Sequence, residues 1–163
     1  MSRRARSLGV VLLLPLVLVA GACAQEPIEL EADRPARSSI DDWQDRNWRS
    51  FMVEVPEDAV AVRFLVGDAP VDLDLFAREG EPIENYRSED VARASTAQYN
   101  DVLVLTRGTQ PPLVPGIYYV DVVYAGEVEP RVGKRRLETI PFTIETTFIH
   151  ARIDAPLREG VAF

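Results

Sequence analysis

An all-β fold, an antiparallel β-sandwich, is predicted by three features of the sequence. Apolar residues recur with a period of two in short runs, Pro and Gly punctuate those runs, and no stretch beyond the first 25 residues carries a convincing amphipathic helical pattern. Length and composition agree with a single unit: 163 residues, 47% of them apolar and 27% charged, suffice to bury one hydrophobic core.

Residues 1–24 stand apart from that unit. "MSRRARSLGVVLLLPLVLVAGACAQ" runs from three arginines through an apolar block between Leu8 and Val19 into small residues, the layout of a secretory signal and too short for a stable membrane span. Two processing routes fit. "VAGAC" resembles a bacterial lipobox with Cys23 as the lipid-attachment residue and Ala20 where leucine is usual, whereas cleavage after "ACA" would leave Gln25 first. Cys23 is the sole cysteine, so no internal disulfide can form, and its position in the leader favours lipidation. The expected address is therefore periplasmic, outer-membrane lipoprotein or secreted, with membrane contact only through the lipid. Removing Arg3, Arg4 and Arg6 with the leader leaves 15 basic against 26 acidic residues, a net charge of −11. Nucleic acid is excluded as a partner, because tracking a phosphate backbone needs a basic surface.

From residue 25 to about 47 the chain is rich in charge, Pro and Ser and lacks sustained periodicity, which predicts an N-terminal arm or tether with Trp43 docked on the domain. The sandwich is expected over 48–150. Phe51, Val53 and Val55 alternate with Ser50, Met52 and Glu54, and after "PEDA" the set Val60, Val62, Phe64, Val66 alternates with Ala61, Arg63 and Leu65, so two strands joined by a tight turn are predicted. Val71, Leu73 and Leu75 continue the pattern, followed by a polar loop from Arg78 to about Thr96. "DVLVLT", "PGIYYVDVVY" and "IPFTIETTFI" supply three further strands, the second with Tyr118, Val120, Val122 and Tyr124 on one face. The 126–139 segment "GEVEPRVGKRRLET" holds the one basic cluster, Lys134-Arg135-Arg136, and reads as a solvated hairpin tip. Residues 151–163 are left as a tail.

The candidate chemistry concentrates in "VDLDLFAREGEP". On a strand, Asp72 and Asp74 would share a face at about 6.6 to 7 Å backbone spacing. Calcium could then be held by both carboxylates with a loop carbonyl or a third acid such as Asp45, Asp68 or Asp101, since the ion accepts six to eight oxygens in flexible geometry. A glycosidase-like pair is the least supported alternative, because nothing in the sequence marks a substrate cleft with ring-binding aromatics. The plainest alternative is that both acids solvate the sheet or bond a neighbouring turn. No other cofactor is expected. Histidine-dependent nucleophilic catalysis lacks a motif, as the sole His150 follows the last strand and no G-x-S-x-G occurs; zinc lacks His/Cys ligands. On the outer face of "PGIYYVDVVY", Tyr119, Asp121 and Val123 form a candidate contact surface, with cover by a loop or by the arm as the alternative.

In order, "NWRSFMVEVPEDAVAVRFLV", "VDLDLFAREGEP", "DVLVLT", "PGIYYVDVVY" and "PFTIETTF" resemble the bacterial pre-peptidase C-terminal domain, related to the collagen-binding domains of bacterial collagenases. The resemblance covers about Asn47 to Phe148. Its specific pieces are the aromatic-x-V-x-VP-x-x-A opening at Phe51 to Ala59, the D-x-D-L-aromatic run at Asp72 to Phe76 and the P-G-x-Y-Y-V-x-V run at Pro115 to Val122. This sequence departs from the pattern at Asp58, at Pro70-Val71 and in the longer 126–139 hairpin. The resemblance implies a jelly-roll-like β-sandwich without catalytic activity, often appended to secreted proteases. It also implies a role for calcium and for sheet-face tyrosines, which collagen-binding relatives use. The expected function is a binding or accessory module, not an enzyme, that contacts a protein or polysaccharide of the envelope or extracellular space. The alternative is an assembly subunit for another envelope protein, and an acid-dependent hydrolase using Asp72 and Asp74 comes last.

Overall fold

The computed structural model describes residues 26–41, 43–96, 100–126 and 129–151; the leader with Cys23 and all of the tail but Ala151 lie outside the described residues. Among them the chain forms strands and no helix. In chain order these are β1 (Ile28–Glu29), β2 (Ala36–Ile40), β3 (Trp48–Val55), β4 (Ala59–Gly67), β5 (Asp74–Glu79), β6 (Ala92–Ala94), β7 (Val102–Thr106), β8 (Gly116–Val123), β9 (Arg131–Val132), β10 (Arg135–Arg136) and β11 (Ile140–His150). A five-stranded sheet, β1-β3-β8-β5-β6, faces a four-stranded one, β2-β11-β4-β7. Every strand pair is antiparallel except β1 with β3.

The period-two pattern is what makes two layers. Phe51, Val53 and Val55 of β3 and Tyr118, Val120 and Val122 of β8 point into the sandwich from one sheet. Val62, Phe64 and Val66 of β4 and Ile140, Phe142 and Ile144 of β11 meet them from the other. Phe51 and Phe142 touch edge to face across the layers, with ring centroids 6.0 Å apart at 80°. Burying each of these side chains contributes about 1.5–3 kcal/mol, so the inner faces carry most of the stability.

Two sequence expectations change in the structure, and the predicted tight turn after β3 links the two sheets. β3 and β4 are joined by the short "PED" turn, but they are not partners: β3 pairs with β8, and β4 with β11 and β7. Both strands turn their apolar residues toward the same core, so the turn is a corner between sheets. The loop expected from Arg78 to Thr96 is shorter, because β5 runs to Glu79 and β6 pairs with it through Leu75↔Ala94 and Ala77↔Ala92.

The largest correction concerns the arm. β1 and β2 are the edge strands of opposite sheets, so residues 28–40 cross from one layer to the other and close that side of the sandwich. The amide of Leu30 donates to the Met52 carbonyl at 2.8 Å and that of Asp33 to the Thr146 carbonyl at 2.7 Å. Leu30 and Ile40 are buried in the common core, and Trp43 meets Tyr124 edge to face at 6.2 Å. The sandwich therefore begins about twenty residues before the boundary expected at 47. The polar composition of the segment hid this, since an edge strand buries little beyond one or two anchoring side chains. The 126–139 segment does form a hairpin, β9–β10, turning at Gly133 (φ 61°), with Arg131 and Arg136 both paired to Glu129 at 2.9 and 3.3 Å.

Ile40→Ala should cost about 2–5 kcal/mol in denaturant unfolding, the usual range for truncating a fully buried aliphatic residue. A change within about 0.5 kcal/mol, as for surface substitutions, would return the segment to the status of a tether.

Candidate functional site

The outer face of the five-stranded sheet is divided in two by the 80–91 loop. Directly opposed residues in neighbouring strands share a face, so the register lays out the rows. One row runs Ser50, Asp121, Phe76, Arg93, and the next runs Glu29, Met52, Tyr119, Arg78. The loop folds back over the first row: Tyr86 lies on Phe76 with ring centroids 4.6 Å apart, and Phe76, Val91 and Val123 form a second small core flanked by Ile83. The Tyr86 hydroxyl donates to Asp121 Oδ2 at 2.9 Å, and Ser50, the cross-strand neighbour, also bonds that carboxylate. Burial still pushes the Asp121 carboxyl above its ordinary range, and burial together with the nearby carboxylate pushes the Tyr86 phenol up.

The expected contact surface is thereby split. Asp121, only 3% exposed, and Val123 lie under the loop, where Tyr86 and Val91 cover them, so for these two the alternative of cover by a loop holds. Tyr119 stays half-exposed between Met52 and Arg78, and Ile117, 49% exposed, continues the open half of the face beside Glu54. Arg78 marks the boundary, held by Asp90 at 2.8 Å, Glu81 at 3.4 Å and the Pro82 carbonyl at 3.2 Å. The outer face of the other sheet is more polar at its centre, where Arg63 bonds Glu145 at 3.3 Å and Thr147 at 3.2 Å.

Asp72 and Asp74 do not share a strand. β5 begins at Asp74, so Asp72 lies in the preceding loop and is exposed, while Asp74 is buried to 8% exposure. Ser95 hydrogen-bonds the Asp74 carboxylate; Asp101, buried in turn, is held by the Thr96 hydroxyl and accepts from the Thr96 amide at 3.4 Å. The cluster thus ties the start of β5 to the β6–β7 connection. Burial and the neighbouring Asp101 raise both carboxyls, and Asp74 is raised further by Asp72 although Ser95 pulls it back. Of the other acids suggested as third ligands, Asp68 instead accepts from the Thr143 hydroxyl at 3.2 Å. Among the described residues no three acid, histidine or cysteine side chains come together so as to hold a metal ion. His150 pairs with Asp58 at 2.9 Å at the far end of β11.

The residues that shape this face, Tyr86 above all, were not singled out from the sequence. The available signal was an aromatic and two aliphatic residues, Ile83 and Val91, inside an otherwise polar loop.

The raised Asp74 carboxyl sets a direction for pH dependence. A carboxyl with a higher pKa in the native state than in the unfolded chain makes the native state the better proton binder. Stability therefore falls as pH rises through the window between the ordinary carboxylate range and the raised value. Asp74→Asn should raise the denaturant midpoint at neutral pH, and the gain should vanish in acid below the carboxylate range. A loss at neutral pH would show that the ionised form is the one the site stabilises.

No protein-family model matches the chain, and no curated protein matches it. Among solved structures, the chain is similar to the pre-peptidase C-terminal domain of collagenase from Bacillus anthracis, with a TM-score of 0.50 and 10% sequence identity over 75% of this chain and 95% of that one. At that identity the likeness speaks for the fold alone. The architecture is an antiparallel β-sandwich similar to that of this domain.

Proposed function

We propose that the protein is a non-catalytic binding module of the bacterial envelope or extracellular space. It holds a protein or polysaccharide partner on the open half of the five-stranded sheet, around Tyr119. The supporting observation is the row Glu29, Met52, Tyr119, Arg78 with Ile117 beside it: an aromatic and two flexible or branched apolar side chains, rimmed by acids, left uncovered where the loop stops. An amphipathic ring flanked by apolar groups and a polar rim is the composition of a contact centre. Asp121 and Val123 serve this surface from beneath, by fixing the loop edge that bounds it. The acids Asp72 and Asp74 have no part in it.

Photo-crosslinking in the native cells tests this reading. A photoreactive amino acid at position 117 should capture a discrete partner, and Tyr119→Ser with Met52→Ser should abolish the adduct while leaving the fold intact. Adducts from position 104, on the outer face of the other sheet, with none from 117 would overturn it.

Export and anchoring belong to the same proposal, with Cys23 as the acylated first residue. Cys23→Ser should release the protein from the detergent phase or leave it unprocessed. An intact mass beginning at Gln25 would refute the lipid anchor.

A further inference from the structure

We propose that Arg87 and Arg93 form a binding site for a single phosphate group on the flank of the sandwich. Three chain segments meet there around a shallow cavity of about 490 Å³: the 80–91 loop contributes Arg87, Ser88, Glu89 and Val91, β6 contributes Arg93, and the β7–β8 connection contributes Gln110. The site lies apart from the Tyr119 surface and does not depend on the function proposed for it.

The backbone holds the two arginines in place. Arg93 is paired opposite Phe76 in β6. Arg87 follows Tyr86, whose ring and hydroxyl are anchored on Phe76 and Asp121. Its amide donates to Asn85 Oδ1 at 3.0 Å, that of Ser88 to the Asn85 carbonyl at 3.1 Å, and that of Val91 to the Ser88 carbonyl at 3.3 Å, so two successive turns display Arg87. Both guanidinium-bearing residues are exposed.

Charge then points to the ligand. The loop's other arginine, Arg78, takes up Glu81 and Asp90. Among the described residues neither Arg87 nor Arg93 has an ion-pair partner, and Glu89 is the sole acid lining the cavity. Two guanidiniums facing one cavity repel each other unless an anion lies between them. Guanidinium forks reaching in from two segments match a tetrahedral oxyanion, which offers oxygens in several directions; a planar carboxylate fills one fork. The Gln110 amide is a further donor on the same wall, while the Ser88 hydroxyl is taken up by Asp90. One local site of this kind is compatible with an acidic chain, whereas a polyphosphate backbone would meet the acids around it.

Titrating the isotope-labelled full chain with inorganic phosphate, against chloride at matched ionic strength, should give saturable shifts confined to the amides of residues 87–93 and 110. Arg87→Gln or Arg93→Gln should weaken binding about tenfold, the loss expected for a charge-assisted hydrogen bond, and the double variant should abolish the shifts while the rest of its spectrum stays unchanged. Shifts that are absent, that persist in the double variant, that centre on residues 134–136, or that acetate reproduces would overturn the site. Sedimentation with phosphatidylglycerol but not phosphatidylcholine vesicles, lost in the double variant, would assign the phosphate to a lipid headgroup; phosphate shifts without such sedimentation would assign it to a soluble phosphoester.

Discussion

The hydrogen bond between Tyr86 and Asp121 decides what this sandwich shows to its surroundings. It joins a loop to the middle of a sheet face, and a buried carboxylate that lost it would be left with Ser50 as its remaining side-chain partner. A hydrogen bond to a charged group contributes about 1.5–3 kcal/mol, more than the surface ion pairs around it, so the loop is held by its middle and not by its ends. Three consequences follow from that one anchor. Val91 and Ile83 can complete a second apolar cluster, the face is closed over Phe76 and Val123 but left open at Tyr119, and Arg87 is carried to the flank beside Arg93. A face that would be uniform in a bare sheet acquires a covered half, an open half and a charged margin.

Closure of the sandwich on its other side rests on a different economy. β1 and β2 contribute two and five residues, yet they cap the exposed edges of β3 and β11 with main-chain hydrogen bonds and insert Leu30 and Ile40 between the layers. An uncapped edge is a template for unwanted pairing, so a short polar edge strand protects the sheet without offering a new sticky surface. The crossing also turns the chain: Ala32 bridges Thr146 in the parallel sense, and beyond Asp33, in the left-handed region at φ 58°, β2 runs antiparallel to β11.

Much of this was legible in the sequence, and the exceptions share a cause. The inward residues of β3, β4, β8 and β11 were readable because each buried face imposes a strict alternation over eight or more residues, and the core they form is the one expected. β1, β2 and β6 were not, because strands of two to five residues at an edge bury one side chain or none and leave no period to detect. Partnering also escaped: β3 and β4 look like a hairpin from their short turn, and only the common core reveals a corner. The candidate contact surface was half legible. Alternation assigned Tyr119, Asp121 and Val123 to one outward face, but whether an outward residue reaches solvent depends on a loop some thirty residues away in sequence.

The same distinction answers the question raised by Asp72 and Asp74. Two acids spaced by two on an apolar run suggest joint chemistry only if both lie on the strand, and the chain begins its strand between them. Asp74 lies opposite Val123 on the covered outer face and is bonded by Ser95; Asp72 faces water two residues earlier; Asp101 approaches from the β6–β7 connection with Thr96 as its own partner. Each buried acid is thus supplied with a hydroxyl from residues 95 and 96, the point where the chain leaves the edge of one sheet for the edge of the other. Hydroxyl and carboxylate meet there because a crossing segment has main-chain groups that no ladder satisfies and must be held by side chains. Burial at such a crossing, with Asp101 close by, raises the Asp72 and Asp74 carboxyls, so the perturbation marks the place where the two sheets are tied together and is no sign by itself of catalysis.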